Sequence, residues 1–444
     1  MIDILTTRFQ PSLDDKHLRE AITVRPEPVL GLENLNRYVA AERLSETLKK
    51  VFIPTAFTLD LIQEMLGRAQ SFSVDNFSTE QQYLSCLYNP PAREVFPICF
   101  TGLAGVGKSA TITALRKVLP SPQALKIDHY VEEAVVVSHW YASARESSLV
   151  RQLLADLLNQ TISSRDSVAE LIARCRRRAY AEGVSTVLLD EMQFVNLGQG
   201  AARVTDILLS MAKIGAPLIY VANYSLVHKL KERNSEDTQR LLSEPRIMLP
   251  DTLDCKSWHE YMRECLAACN DRLKIEAKIL AEDLYRFTFG IKRFVVQLLK
   301  LAYLEARSAS RFSIERRDLQ AAFVSSGYSV HKIAVEELVR EAIQKSSTGI
   351  RKDLKCPFTI PLRSSVIEFS RKDREQRVAT KVLVSALTKT ELSGLQEVAP
   401  NLVATNLPSN VKKTSVRKTS DEEMAKNHAR LLAKTLDSKN KPNT

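Results

Sequence analysis

Residues 100–116 read FTGLAGVGKSATITALR, a glycine-rich turn that leads from an apolar stretch into a helix-forming sequence. The segment from Gly102 to Ser109 fits the pattern GxxxxGK[ST] in full. Glycines at these positions let consecutive backbone N–H groups point inward around an anion, and the helix that follows adds the positive end of its dipole. The pattern therefore predicts a phosphate-binding loop. A glycine turn that merely joins strand and helix is the alternative.

The loop predicts a nucleoside triphosphate and a magnesium ion as ligands. Lys108 is expected to reach the β- and γ-phosphates, and the hydroxyl of Ser109 is expected to bind Mg²⁺. ATP and Mg²⁺ are therefore the expected cofactors. The residues expected to bind the nucleotide are Gly102, Gly105, Val106, Gly107, Lys108, Ser109, Ala110 and Asp190.

An acidic pair ends the apolar stretch VSTVLLDE, residues 184–191. Asp190 is expected to hold Mg²⁺ through water, and Glu191 is expected to orient or deprotonate the attacking water. This order after a buried strand is typical of a Walker B element, and the adjacent glutamate favours hydrolysis over binding alone. An acidic pair at the surface end of a strand is the alternative.

Asn223 ends another apolar stretch, APLIYVANY, residues 216–224. Its side chain can hydrogen-bond the γ-phosphate or the lytic water and thereby sense the nucleotide. The alternative is a turn-forming asparagine at a strand end.

Apolar runs alternate with amphipathic helices between residues 97 and about 250, which predicts an α/β fold with a doubly wound parallel sheet. The run EAVVVSHW, residues 133–140, is one of the expected strands. The predicted regions are a mainly helical N-terminal region that could dock a partner (1–95), the α/β subdomain (96–250), a helical subdomain (251–328), an extension (329–404) and a flexible basic tail (405–444).

The 444-residue chain carries a formal net charge of +11. This excess favours a polyanionic partner, with ordinary solvated charge as the alternative. The seven cysteines lack a framework spacing, which favours a reducing compartment. The N-terminus does not fit a signal peptide, and no apolar run approaches the length of a membrane span. We therefore expect a soluble protein of the bacterial cytoplasm with no membrane partner.

With these motifs the chain resembles an AAA+ ATPase, and residues 97–325 resemble the TnsC/TniB family of transposition regulators. The resemblance rests on the Walker elements, on VVVSHWYASARESSLVRQLLADLL between them, and on YVANY, TQRLLSEPRIMLPD and FTFGIKRFVVQLLKLAYLEA after them. It implies an AAA+ P-loop NTPase core with a C-terminal helical lid, flanked by N- and C-terminal extensions.

The resemblance also implies roles for arginines. ATP sites of AAA+ proteins lie between subunits, so Arg240 or Arg246 is expected to reach the neighbouring subunit's site as a finger, with Arg240 favoured by its place in QRLL. Arg293 in GIKR is expected to lie over the γ-phosphate of its own subunit, with Lys292 as the competing residue. A surface salt bridge or a solvated charge is the alternative for each arginine.

Members of the resembling family assemble with ATP on duplex DNA as a ring or helical filament, and contact mostly phosphates. Their DNA-tracking segment corresponds to SHWYASARESS here, so Trp140, Tyr141 and Arg145 are candidate DNA contacts. Burial of Trp140 and a solvated Arg145 are the alternative. The basic cluster RCRRRAY, residues 174–180, is equally a DNA contact or the exposed end of a helix.

The leading functional prediction is an ATPase that regulates transposition. ATP would drive assembly of a homo-oligomer on target DNA, which recruits or activates the transposase subunits, and hydrolysis would disassemble it. A target-selection protein of the TniQ/TnsD type is a further implied partner. A replication-initiator-like or clamp-loader-like ATPase is the second reading, although residues 330–400 show no clean winged-helix pattern. A nucleotide-dependent signalling or defence scaffold without DNA is the third.

Overall fold

A computed structural model describes residues 3–394 of the protein, except 11–13, 127–133, 146–148, 162, 164, 197–199, 345–350, 361–363, 389 and 392. The chain divides into two units, Met1–Arg374 and Glu375–Thr444. The predicted basic tail, residues 405–444, lies outside the described residues.

The centre of the first unit is a parallel sheet. The strands, in chain order, are β1 (Ile98–Gly102), β2 (Gln123–Leu125), β3 (Ala134–Val136), β4 (His139–Ser143), β5 (Thr186–Asp190), β6 (Leu218–Asn223) and β7 (Pro245–Met248). Five of them form one sheet in the order β4-β5-β6-β1-β7, and each neighbouring pair is parallel. The predicted α/β fold with a parallel sheet is thereby confirmed.

Helices surround and follow this sheet. They are α1 (Asp3–Thr7), α2 (Asp15–Ile22), α3 (Arg37–Lys50), α4 (Ala56–Phe77), α5 (Glu80–Tyr88), α6 (Lys108–Val118), α7 (Val150–Leu158), α8 (Val168–Ala181), α9 (Gly200–Ala212), α10 (Tyr224–Lys231), α11 (Ser235–Leu242), α12 (Lys256–Ala268), α13 (Ala277–Thr288), α14 (Lys292–Ser308), α15 (Arg316–Val324), α16 (Ser329–Gln344) and α17 (Ser364–Ala386). None of those in the described part of the chain has the length and apolar character needed to cross a membrane.

Both faces of the sheet are buried, because successive side chains of a strand point to opposite sides. In β1, Ile98 and Phe100 join a hydrophobic cluster with helix α6 and the helices that follow β7. Cys99, between them, joins a second cluster with helices α7, α8 and α9. Burial on both faces explains why the sheet strands read as continuous apolar runs rather than alternating ones.

The predicted strand at residues 133–140 is wrong in its position. Ala134–Val136 pairs antiparallel with β2 in a separate two-stranded sheet. The chain then turns, the hydroxyl of Ser138 donates to the carbonyl of Pro120 at 2.6 Å, and the strand of the main sheet begins at His139. The apolar run is thus split between two sheets by the turn at 137–138.

The segment 351–360 lies against helix α10. The ring Nε2 of His228 donates to the carbonyl oxygen of Lys355 at 2.9 Å, and the ammonium of Lys231 donates to the carbonyl oxygen of Pro357 at 2.7 Å. Lys231 also lies 5.2 Å from the ring centre of Phe358. The C-terminal extension is therefore attached to the helix that directly follows β6.

Candidate nucleotide site

The carboxyl ends of the sheet strands bring the predicted site residues together. Gly102 of β1 is in register with Asn223 of β6 on one side and with Met248 of β7 on the other. Asp190 ends β5 in register with Ser143 of β4. Ligands of open parallel sheets bind outside the carboxyl ends of the strands, and this edge is therefore the candidate site.

The glycine-rich loop ends in a helix that offers free N–H groups. Gly107 has φ of 119°, a left-handed conformation that favours glycine, and no side chain caps the helix α6 that begins at Lys108. The N–H groups of its first turn, including those of Ser109 and Ala110, have no partner within the helix. Val106 is buried and anchors the loop. This arrangement fits an anion.

Glycine is required at position 102 because the backbone of β7 lies too close to leave room for a side chain, and not because of the φ angle. A Cβ atom at this position would lie 2.4 Å from the carbonyl oxygen of Met248, which is backbone and cannot move aside. The start of the loop is thus pressed against the end of β7.

Lys108 is a half-buried cation beside this loop. Its ammonium donates to the carbonyl oxygens of Gly102 and Leu103 at 2.8 Å each. Burial lowers its pKa to about 8, and the nearby positive charge of Arg293 acts in the same direction. The half-buried Lys108 and the exposed Arg293 beside it favour an anionic ligand, because a phosphate would stabilise both charges.

The donor set fits a magnesium ion. The hydroxyl of Ser109 lies 3.5 Å from Oδ1 of Asp190, and burial raises the pKa of that carboxyl group, so a nearby cation would stabilise its charged form. The described residues contain no cluster of three or more metal-ligating His, Cys, Asp or Glu side chains. Mg²⁺ characteristically takes one or two protein ligands and completes its shell with water and phosphate oxygens.

Glu191 is held by an arginine from the neighbouring strand end. It has φ of 55°, unusual for a residue other than glycine, where β5 gives way to a short 3₁₀ helix. Its Oε2 lies 2.7 Å from Nε of Arg145, which is 65% exposed and also lies over the ring of Phe194. The residue predicted to activate water and a residue predicted to touch DNA therefore form one ion pair.

Asn223 is the N-terminal cap of helix α10. Its Oδ1 accepts from the N–H of Leu226 at 3.0 Å and from the hydroxyl of Ser225 at 2.8 Å. The oxygen is thereby committed to the helix, and the Nδ2 amide remains as the donor for a ligand at this edge. Asn223 thus has a local structural role, as a helix cap rather than as the turn-forming residue of the alternative, and this role is compatible with the predicted sensing role.

The GIKR turn brings Arg293, and not Lys292, to the loop. The N–H of Arg293 donates to the carbonyl oxygen of Gly105 at 3.1 Å. A Cβ at Gly105 would lie 2.7 Å from Cβ of Arg293. Lys292 instead pairs with Asp251 at 3.4 Å and lies over the ring of Tyr261. The geometry favours Arg293 for the predicted contact with the γ-phosphate.

Arg240 and Arg246, the two arginines predicted as fingers, differ in their ion pairs and in their exposure. Arg246 lies within β7 and forms paired hydrogen bonds with Glu64 of α4 at 2.7 and 2.5 Å, with only 27% of its side chain exposed. Arg240, near the end of α11, pairs with Glu236 at 2.9 Å and Glu94 at 3.4 Å and is more exposed. Arg246 is fixed inside its own subunit, which disfavours a reach into a neighbour.

The three candidate DNA contacts differ in how exposed their side chains are. Trp140 is only 6% exposed, and its indole N–H donates to Glu182 at 2.9 Å. Trp140 is therefore a core residue and not a DNA contact, because its buried side chain cannot reach a duplex. Tyr141 is half-buried under the guanidinium of Arg116. Arg145 is the exposed member.

Most of the basic cluster in helix α8 serves internal contacts. Arg174 pairs with Asp166 at 2.8 Å, Arg176 donates to the carbonyl oxygen of Lys213, and Arg178 bonds Glu182 at 2.5 Å. Arg177 is the exposed arginine of this group. The cluster thus anchors the helix more than it presents a basic face.

A cavity of 1390 Å³ flanks the loop, and the sequence did not predict it. Its lining residues include residues 54–57, Leu103 of the loop, residues 249–252 after β7, Tyr285 and Phe289 of the predicted lid (251–328), and residues 354–360. Its walls come from distant parts of the chain, so no local pattern marks it. Aromatic and apolar walls beside a phosphate-binding loop suit a nucleoside.

Comparison with solved structures finds weak similarity to several proteins. The Aeropyrum pernix ORC2 protein in its ADP form has 15% identity and a TM-score of 0.40, with 73% of this chain and 85% of that chain covered. CDC6P from Pyrobaculum aerophilum has 14% identity and a TM-score of 0.40, with 75% and 89% covered. The Thermotoga maritima RuvB Holliday junction branch migration motor has 12% identity and a TM-score of 0.30, with 59% and 72% covered. Similarities this weak carry no argument about the activity of this chain.

Sequence comparison matches a family model to the part of the chain that forms most of the sheet. No curated protein matches the chain significantly. A family model described as AAA domain matches residues 97–230, which run from the start of β1 to helix α10 and include the loop, Asp190, Glu191 and Asn223. With the strand order and the loop geometry described above, the chain contains an AAA+ P-loop NTPase domain.

Proposed function

We propose that the protein is an ATP-hydrolysing switch that assembles on duplex DNA. The observation that carries this is the convergence of Lys108, Ser109, Asp190 and Glu191 at the carboxyl edge of one sheet. These residues supply the phosphate cation, two magnesium ligands and a water-activating carboxylate that phosphoryl transfer to water requires.

Each residue of the site would have a distinct role in hydrolysis. Ser109 and Asp190 would hold Mg²⁺, which when bound neutralises charge on the phosphates. Glu191 accepts a proton from water or orients it, and the Nδ2 amide of Asn223 donates to the transferring group. Arg293 joins the lid to the loop, so its contact with a phosphate ties the position of the lid to the nucleotide.

The Arg145–Glu191 ion pair supports a coupling of DNA binding to hydrolysis. While Glu191 is paired with the guanidinium, its Oε2 is occupied and is not available to accept a hydrogen bond from the attacking water. DNA phosphates compete for the exposed guanidinium of Arg145, and this competition would release Glu191 to act on water. The Lys/Arg excess of the chain favours such a polyanionic partner.

For the biological process, we propose regulation of transposition through a homo-oligomer that recruits transposase. The sequence resemblance to the TnsC/TniB family supports this proposal. A replication initiator of the same class would be expected to carry a winged-helix reader after the lid. Among the described residues after Met248 we find helices and loops, with no strand pair that could form a wing. The proposal of transposition rests on the sequence resemblance, and an initiator-like ATPase is the second candidate function.

The test is to incubate the purified protein with random-sequence duplex DNA and ATP, ADP or a slowly hydrolysed analogue, and to image it across a salt series. Nucleotide-dependent rings or filaments that weaken steeply with salt are expected. Discrete particles at one DNA sequence would favour an initiator, and oligomers indifferent to DNA would favour a signalling scaffold. The Lys108→Ala variant should form no assembly, because it lacks the phosphate cation.

A further inference from the structure

We propose that Asp251 selects the base of the nucleotide, by accepting a hydrogen bond from the exocyclic amino group of a 6-aminopurine. The inference rests on the proposed function, since it concerns the nucleotide held by the loop. It adds the residue that distinguishes ATP from other triphosphates.

Asp251 lies where the base would be. It lines the cavity together with Leu103, which belongs to the phosphate-binding loop, and with Phe289 of the lid. Gly102 and Met248 are in register, so residues 249–251 leave the sheet directly beside the loop. A triphosphate on the loop therefore places its nucleoside at this wall of the cavity.

The backbone at Asp251 is fixed by the lid. Gly290 has φ of 73°, and a Cβ there would lie 2.2 Å from the carbonyl oxygen of Asp251. The next residues of the lid include Arg293, whose N–H donates to Gly105. One rigid turn, residues 290–293, thus touches both the phosphate loop and Asp251. The carboxylate is consequently held in a set position relative to the loop.

The side chain of Asp251 is buried with incomplete hydrogen bonding. Only 8% of it is exposed, and its Oδ2 lies 3.4 Å from Nζ of Lys292. Oδ2 is inaccessible and makes no hydrogen bond with any described residue. Asp251 lines the cavity, so its carboxylate is an acidic group that a ligand at this wall would meet. The carboxylate is incompletely hydrogen-bonded, and such a ligand can supply a donor.

The chemistry of a single free oxygen favours adenine. The exocyclic amino group of adenine is a donor that one oxygen can accept. Guanine presents an oxygen at the corresponding position, and a carboxylate oxygen would repel it. Reading the two adjacent donors of guanine would need both oxygens of Asp251, and one of these, Oδ2, faces Lys292 and is inaccessible to a ligand. The geometry therefore points to a 6-aminopurine.

The experiment measures equilibrium binding of three nucleotides to full-length protein: ATP, purine riboside triphosphate, which lacks the amino group, and GTP. The Asp251→Asn variant keeps the shape but has one acceptor oxygen for two donors. For the wild type we expect ATP to bind about tenfold more tightly than purine riboside triphosphate. In Asp251→Asn this preference should fall below about threefold, while binding of purine riboside triphosphate stays within about twofold of wild type.

The outcomes separate this inference from the proposed function. If the wild type binds ATP and purine riboside triphosphate equally, or if Asp251→Asn weakens both nucleotides by the same factor, the base-reading role is overturned while nucleotide binding stands. If the wild type binds no triphosphate, the proposed function fails with it. Lys292→Met is the matched control: it removes the other half of the ion pair, and it should retain the preference for ATP if Asp251 reads the base.

Discussion

The guanidinium Nε of Arg145 lies 2.7 Å from Oε2 of Glu191, so an exposed residue at the end of β4 holds the carboxylate that follows β5. The two strands are neighbours, and Ser143 is in register with Asp190. An arginine two residues past one strand end therefore reaches a glutamate one residue past the next. This pair connects the outer surface of the domain to its candidate catalytic centre.

Removing this arginine should raise the basal rate of ATP hydrolysis. In Arg145→Gln, Glu191 is freed from its partner, and we expect turnover without DNA to rise about two- to fivefold, the scale of an exposed ion pair. The stimulation by DNA should shrink accordingly. Steady-state phosphate release with and without duplex DNA measures both effects.

The matched control is Arg177→Gln, which removes an equally charged and exposed side chain from helix α8. It should leave the basal rate unchanged. An Arg145→Gln protein with wild-type basal turnover and undiminished stimulation by DNA would contradict the coupling.

Glu191→Gln should separate nucleotide binding from turnover. The amide keeps the shape but cannot take a proton, so we expect ATP affinity to remain within about threefold and hydrolysis to fall at least 10²-fold. Nucleotide titration and phosphate release on the same preparation measure the two quantities. Unchanged hydrolysis would remove Glu191 from its assigned role.

Complementation between variants can identify the finger. Arg240→Ala and Glu191→Gln should each be inactive, but a mixture should regain turnover above either alone, because some interfaces then combine an intact Arg240 with an intact Glu191 from the adjacent subunit. Arg246→Ala should act differently, by losing the bond to Glu64 and lowering the melting temperature. If Arg246→Ala, and not Arg240→Ala, complements Glu191→Gln, the assignment is reversed.

Two glycine substitutions should have opposite effects on stability. Gly290→Ala places a Cβ 2.2 Å from a backbone oxygen at positive φ, and we expect a loss of about 2 kcal/mol or more in the free energy of unfolding. Gly67→Ala, within α4, meets nothing within 4 Å, and it should gain about 0.5–1 kcal/mol. Chemical denaturation measures both. Equal effects would mean that the contact at Asp251 is not rigid.

His139 should make stability depend on pH on the acid side. Burial, assisted by the charge of Arg116, lowers its pKa from 6.5 to about 4. Between these values the unfolded chain binds a proton that the folded chain does not, so stability falls as pH drops from about 6.5 towards 4, by on the order of 2–3 kcal/mol. The difference between wild type and His139→Gln in denaturation midpoints across this range isolates the contribution. Parallel pH profiles for the two proteins would exclude it.

The loop, Asp190 and Asn223 could be predicted from the sequence because their signals are local. Glycines, a lysine and a serine at fixed spacing define the loop, and polar residues that end apolar runs mark the strand edge. The register of Gly102 with Asn223 then follows from the parallel sheet.

The remaining features depend on contacts between distant residues. The bond from Arg246 to Glu64 joins β7 to helix α4, and nothing in QRLLSEPRIM distinguishes such a residue from a finger. Trp140 is a candidate DNA contact only through the family resemblance, whereas its burial depends on the folded core around β4, β5 and helices α7 and α8. The Asp251–Lys292 ion pair joins residues that come together only in the folded chain, so the sequence around either residue does not predict it.

The attachment of segment 351–360 to helix α10 has a consequence for how this region can diverge. His228 and Lys231 bind main-chain oxygens, which every amino acid carries. Substitutions at positions 355 and 357 therefore leave these two bonds available, whereas a change at either donor removes one. Homologous chains can keep the same docking with unrelated residues in the segment, so alignment of its letters would understate how well the architecture is preserved.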